Sequence, residues 1–256
     1  QIPEHFNIGV EVCDRWAERE PGRLAIVSAR PHGPAREISY GWLRETSNRL
    51  ANVLCAHGIG PGDRVAILLP QSPEVAAIHI AVYKLGGVAL PLATLFGTDA
   101  IAYRLRDAGV KALVTDARGL AKLAEIKRKA DALSDLGLVL SIDGPGDGAI
   151  DFHQTLARAS DRFSPLATKA DTPALMVYTS GTTGQPKGAL HAHRVLLGHM
   201  PGIELPHDFF PQPGDRFWTP ADWAWAGGLL DCLLPSLYCG VPVVACRFDK
   251  IGRAHV

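Results

Sequence analysis

The run YTSGTTGQPKG, Tyr178 to Gly188, concentrates glycines, hydroxyl side chains and one lysine directly after the apolar stretch PALMV. Such residues weaken strands and helices alike, so the segment is expected to be a loop. Glycines permit positive φ and close backbone approach, which lets several N–H groups converge on one point. The hydroxyls of Thr179, Ser180, Thr182 and Thr183 add neutral donors, and Lys187 adds a charge that suits phosphate. With Gly181 and Gly184 these residues describe a phosphate cradle. The Walker-type nucleotide loop is a different object, because it needs Gly-Lys followed by Ser or Thr at a helix start. Here Lys187 follows Pro186, precedes Gly188 and leads into ALHAH, which reads as a strand.

A second group is ADWAWAGG, Ala221 to Gly228, with Trp218 just before it; Trp218 is expected in the core. DGPGDG lacks the acidic spacing of a calcium loop and reads as a surface turn.

The elements that must hold these groups alternate strand and helix, the pattern of a parallel or mixed sheet covered by helices. GIGPGDRVAILLP gives a turn and a strand at Arg64 to Leu69. A helix follows in SPEVAAIHIAVYKLGG, with Ser72 as cap, Pro73 in the first turn and Gly86 as stop. VALPL, KALVTD and LGLVLSID read as further strands, separated by helices at TDAIAYRLRDAG and ARGLAKLAEIKRKA. Before this run come a helix near GVEVCDRWAERE, strands at LAIVSA and REISY, and a helix through WLRETSNRLANVLCAHG. After the loop, RFWTP, GGLLDCLLPSLYCG and VPVVAC predict strand, helix and strand.

Composition bounds the partners. Of 256 residues, 47% are hydrophobic and 20% charged, as in a globular chain. The 26 basic residues match 26 acidic ones, so no overall field points to nucleic acid or to a membrane surface. Any anion site must be local. No apolar stretch is long enough to span a bilayer and no secretory signal is visible. The five cysteines are odd in number and lack metal spacing, which predicts buried free thiols and a cytoplasmic setting.

The loop resembles, almost letter for letter, the phosphate-loop signature of the adenylate-forming (AMP-binding) superfamily: acyl-CoA synthetases, adenylation domains of peptide synthetases, and luciferases. ISYGWLRETSNRLANVLCAHGIGPGDRVAILLP, HIAVYKLGGVALPL and LFGTDAIAYRLRDAGVKALVTD are similar to earlier segments of its acyl-CoA synthetase branch. DRFWTPADWAWAGG resembles the segment after the loop in acetyl- and medium-chain synthetases. The resemblance implies an α/β fold, the front part of the large N-terminal domain of the acyl-CoA synthetase/luciferase-like fold. Residues 59–194 would form one α/β subdomain, and 1–58 and 195–250 parts of a second that needs later strands, so an unsatisfied sheet edge is expected around Val241 to Ala245.

By the same resemblance the protein joins a small-molecule carboxylic acid to coenzyme A, using ATP and Mg2+, through an acyl-adenylate. A medium-chain or other fatty acid is expected. Thr179, Ser180, Gly181, Thr182, Thr183, Gly184 and Lys187 would grip the phosphates, with Thr183 and Lys187 serving catalysis. Trp225, Ala226 and Gly227 would line the acyl pocket. Asp222 and Trp225 match an Asp-x-Gly-Trp pattern in which Ala224 replaces Gly. His191 and His193 are acid–base candidates by position, yet neither step needs a histidine base, and His193 reads as the start of the next helix.

Later motifs of the superfamily, which supply a Mg-linked Glu, a ribose-binding Asp and a C-terminal Lys, are not found in the sequence. The chain is therefore expected to be a fragment that is inactive alone. Ile251 to Val256 match an in-frame translation of a common sequencing adapter and are expected to be non-native. Two alternatives stand: an adenylation or aryl-acid ligase that serves a carrier protein, and a non-catalytic nucleotide-binding remnant.

Overall fold

Polar caps and Gly/Pro turns cut the chain into short elements, and the carboxyl ends of the parallel strands gather at one edge of the larger sheet. The computed structural model describes residues 2–29, 33–129, 133–179 and 184–246. A π-turn at Val10–Asp14 runs into α1 (Arg15–Arg19), followed by the antiparallel pair β1 (Leu24–Ala29) and β2 (Arg36–Ser39). Helix α2 (Tyr40–Ala56) opens on Ser39, whose hydroxyl accepts the Trp42 N–H at 3.2 Å. Strand β3 (Arg64–Leu68) leads to α3 (Pro73–Leu85), which has Ser72 as cap, Pro73 in its first turn and Gly86 ending it at φ +76°.

Then come β4 (Val88–Pro91), α4 (Thr98–Asp107), β5 (Val110–Thr115) and α5 (Ala117–Arg128), the last capped by Asp116. Strands β6 (Leu138–Ser141) and β7 (Ile150–Asp151) precede α6 (Phe152–Ala157), and β8 (Pro173–Thr179) precedes β9 (Lys187–Ala192). Helix α7 (Val195–Glu204) and a long irregular segment lead to α8 (Ala226–Gly228), which widens into a π-turn at Leu229–Leu233 before α9 (Leu234–Cys239) and β10 (Val243–Cys246).

Seven strands form one sheet in the order β7-β6-β5-β3-β4-β8-β9, parallel except for the final β8–β9 pair. The order turns at β3, with β4 on one side and β5 on the other. In open α/β sheets such a switch point, at the carboxyl ends of the strands, is where ligands bind. The loops after β3, β4 and β8 all leave from that edge. A second sheet, β10-β1-β2, pairs β10 parallel to β1.

Helix α3 is buried over its whole length. A helix apolar on nearly all sides belongs inside, and the buried apolar residues of this one lie in the larger core cluster. It carries a fully buried cation, Lys84, whose Nζ lies 2.6 Å from the Asp14 carboxylate, 2.9 Å from Ser47 Oγ and 2.8 Å from Asn48 Oδ1. These contacts join α3, α2 and the first π-turn. No described helix is long and apolar enough to cross a membrane.

Several expectations are corrected. RFWTP is not a strand: only Phe217 bridges to Val243, donating its N–H to Pro242 O at 3.0 Å and accepting from Val244 N–H at 2.8 Å. The segment is then drawn away by Gln71, whose Nε2 donates to Thr219 O at 3.1 Å and Ala221 O at 2.7 Å. Phe217 packs on Phe210 and His207, and Trp218, pointing the other way, is 46% exposed rather than core. The same bridge covers part of the β10 edge that was expected to stand open. Cys13 and Cys232 are buried, their thiols pushed up to about 12 by burial, but Cys55 near the end of α2 is exposed. Residues 251–256 lie outside the described residues.

Candidate functional site

Thr179 and Lys187 face each other as the last rung of the β8–β9 ladder, so the glycine-rich loop springs from a closed antiparallel pair. Ser180, Gly181, Thr182 and Thr183 lie outside the described residues. Gly184 holds φ +86°, a conformation costly for other residues, and no heavy atom lies within 4 Å of where its Cβ would stand. Lys187 is exposed and makes no ion pair with another described residue. An exposed lysine without a carboxylate partner among the described residues fits a polyphosphate.

Alternation sorts the ladder into two faces. Thr179, Val177 and Leu175 share one with Lys187, Ala189 and His191. Tyr178 and Met176 share the other with Gly188 and Leu190, and a Cβ at Gly188 would meet Met176 Sδ at 2.9 Å.

On that second face α4 braces the loop. Tyr103 Oη donates to Pro186 O at 3.0 Å, and the Tyr103 ring meets Tyr178 edge-on at 6.4 Å. Tyr178 Oη donates to Asp107 Oδ2, and burial with that carboxylate raises the phenol above its usual range. Arg104, only 7% exposed, lays its guanidinium 4.2 Å from the Phe96 ring centroid and 5.4 Å from that of Tyr178. Lys122 fixes the loop after β4 by donating to Thr94 O at 2.6 Å and Phe96 O at 2.7 Å. Sequence reasoning missed all of these residues. The available signal was the spacing of Tyr103 and Asp107, one helical turn apart.

Phe96 carries the brace across to the second group, meeting Trp225 edge-on at 5.7 Å. Trp223, in contrast, is fully buried. Asp222 accepts the Ala224 N–H at 3.2 Å, and burial raises its carboxyl against that bond. Trp225 is 43% exposed, and Ala226 and Gly227 beside it are exposed too. The two glycines have different tasks. A Cβ at Gly228 would stand 2.3 Å from Asp222 O, so that turn excludes side chains, whereas one at Gly227 would meet nothing nearer than Asp231 Oδ2 at 3.6 Å. The structure thus brings Trp225, Ala226 and Gly227 onto one exposed rim, joined to the ladder of the glycine-rich loop through Phe96, Arg104 and Tyr178.

His193 sits in the turn before α7 rather than starting it. Its Nδ1 accepts the Ile8 N–H at 3.1 Å, and burial pushes it down to about 4. His191 is half-buried, its pKa lowered by burial and then by the field of His199.

The sequence model described as AMP-binding enzyme matches residues 13–253. The chain is 30% identical to the acetyl-coenzyme A synthetase of Sodalis glossinidius (strain morsitans), over 98% of this chain and 42% of that protein. It is 31% identical to the 3-hydroxybenzoate--CoA/4-hydroxybenzoate--CoA ligase of Thauera aromatica, over 82% of this chain and 39% of that one. The crystal structure of an acyl-CoA synthetase from Brucella canis superposes with a TM-score of 0.83 at 32% identity, covering 94% of this chain and 43% of its own. This chain therefore spans about two-fifths of the length of these relatives. The match spans nearly the whole chain, and the chain belongs to the family of AMP-binding enzymes.

Proposed function

We propose that this chain is the phosphate-gripping and acid-facing part of an ATP-dependent acid–thiol ligase that activates a medium-chain or other fatty acid and transfers it to coenzyme A. The observation that carries the reading is the exposed Lys187, without a carboxylate partner among the described residues, opposite Thr179 at the mouth of the loop and joined through Tyr178, Arg104 and Phe96 to the exposed rim at Trp225. ATP with Mg2+ supplies the activated phosphorus that turns one carboxylate oxygen of the acid into part of a leaving group. Lys187 holds charge on the departing pyrophosphate side, and Gly184 leaves room for backbone N–H groups to do the same. Thr183 and its neighbours in the loop add hydroxyl donors. Tyr103 keeps the loop exit in place, which is positioning rather than chemistry. Trp225, Ala226 and Gly227 bound the acid, and their small or flat surfaces leave space beyond the carboxylate.

An aryl acid is the second reading. The aromatic pair Phe96 and Trp225 at the rim and the Thauera aromatica relative both support it.

The deciding experiment uses the chain within a protein of its relatives' length, with ATP, coenzyme A and a panel of alkyl and aryl acids. Acid-dependent release of AMP with formation of acyl-CoA is the expected result. AMP release that requires a carrier protein instead of coenzyme A would favour the carrier-linked alternative. Absence of any acid-dependent exchange of pyrophosphate into ATP would leave only a nucleotide-binding remnant. The 256-residue chain by itself is expected to give no exchange.

A further inference from the structure

We propose that Asp231 and His199 form a hydrogen-bonding end wall to the acid pocket and select acids that carry a hydroxyl group remote from the carboxylate. The proposal rests on the ligase reading above and deepens it.

Gly227 and Asp231 are four residues apart on one helical run, so they share a face. The run widens into its π-turn at Leu229–Leu233, a distortion that often marks functional sites. The absence of a side chain on Gly227 leaves Asp231 Oδ2 facing the opening, 3.6 Å from where a Cβ would stand. The other carboxylate oxygen, Oδ1, lies 2.7 Å from His199 Nδ1. Both side chains are partly open, 49% for Asp231 and 36% for His199.

His199 lies on α7, the helix that follows β9 in the chain. His191 shares its strand face with Lys187, four residues and about 13 Å along β9. Strand β9 thus runs from Lys187 to Ala192, and the chain turns from there into the helix that carries His199. An acid whose carboxylate meets the α-phosphorus, on the side away from the pyrophosphate that Lys187 holds, would extend its tail past Gly227 toward the His199–Asp231 pair.

The chemistry of the pair defines the tail. An ionised carboxylate only accepts, so the Nδ1 of His199 must donate to Oδ1, leaving Oδ2 as a free acceptor and Nε2 as the second polar atom. Covering such atoms with a plain hydrocarbon tail would strip them of water without replacement, whereas a hydroxyl satisfies them. Asp231 already has its partner in His199, which favours a neutral donor over an ammonium group. Among the described residues no group of three or more His, Cys, Asp and Glu side chains is arranged to hold a metal ion, so a ligand hydroxyl is the better match.

The test compares kcat/KM for matched acids with and without a terminal hydroxyl, from four to eight carbons and as para-hydroxylated and unsubstituted benzoates, in a protein of the relatives' length. The hydroxylated member of at least one pair is expected to be preferred about tenfold or more. Asp231→Leu and His199→Phe should bring that ratio to about 1, and Asp231→Asn, which keeps an acceptor, should retain part of it. Both acids are measured on one sample, so a partly unfolded variant still yields the ratio. A wild-type ratio at or below 1 in every pair, or a preference that survives Asp231→Leu and His199→Phe, overturns the proposal. No turnover of any acid would show that the ligase reading itself had failed, and the end wall with it.

Discussion

The hydroxyl of Tyr103, on α4, donates to the main-chain carbonyl of Pro186 at 3.0 Å, so a helix on one face of the sheet holds the exit of the phosphate loop. The bond contains no group able to touch the reacting atoms, and its value lies in restricting where Lys187 begins. A neutral hydrogen bond contributes about 1 kcal/mol, equivalent to about fivefold in an equilibrium. Tyr103→Phe should therefore raise KM for ATP by about that factor while leaving the acid preference alone, as read from initial rates over an ATP series.

Lys187→Ala removes a charge expected to matter only while pyrophosphate is leaving. Loss of a preorganised charged donor typically costs about 10²-fold in rate. Pyrophosphate exchange should fall by about this amount, and thioester formation from supplied acyl-adenylate should fall far less; Thr183→Ala should show the same asymmetry, more weakly. Equal losses in both half-reactions would make the loop a structural element only.

Gly227→Thr fills the opening between Ala226 and Asp231. Each methylene accommodated in such a pocket is worth about 1–3 kcal/mol of discrimination. A chain-length profile should shift toward short acids, with kcat/KM for six- to eight-carbon acids dropping at least tenfold relative to propionate. A profile that already peaks at acetate, or that the substitution does not move, would remove Gly227 from the pocket.

Lys84 and Asp14 make a different kind of prediction, about stability. Breaking a buried pair by removing one charge typically costs about 3–5 kcal/mol, because the other is stranded. Lys84→Met should approach that cost in urea unfolding. The double variant Lys84→Met, Asp14→Leu should recover a substantial part of it, a non-additivity that two independent sites would not show.

His193 should give the fold an acid limit. The unfolded histidine takes a proton near 6.5, while the buried one resists until about 4. Below 6.5 the unfolded state therefore binds more protons, so stability is intact at neutral pH, falls as pH drops, and levels off near 4. Keeping the imidazole neutral across that whole range costs the fold about 3 kcal/mol by the time the plateau is reached. His79, pushed down to about 3 by burial, adds to the same limb. His193→Gln should flatten part of it in urea midpoints measured between pH 7 and 4.

What could be read from the sequence was whatever local chemistry dictates. Ser72, Pro73 and Gly86 mark the ends of α3 because caps and stops act within one turn. The strands Val88–Pro91 and Val110–Thr115 follow from short apolar runs between turns. Long-range partners were not legible. Nothing in the local pattern of RFWTP shows that Gln71, far away in sequence, draws Thr219 and Ala221 off the sheet and turns Trp218 outward. Nor does a lone lysine in an apolar helix reveal that Asp14, Ser47 and Asn48 await it. In the site, the loop was visible as composition, whereas the brace of Tyr103, Arg104 and Phe96 exists only once α4 lies against β8.

Gln71 also reaches the other sheet, since its Oε1 accepts the Cys246 N–H at 3.1 Å. One amide thus ties the end of β3 to the rim segment and to β10, and the rim is anchored from behind through main-chain atoms. Side chains on its open side can be exchanged without loosening that anchor. On the ligase reading proposed above, point substitutions at the rim would change which acid is taken while the glycine-rich loop and its ladder stay as they are.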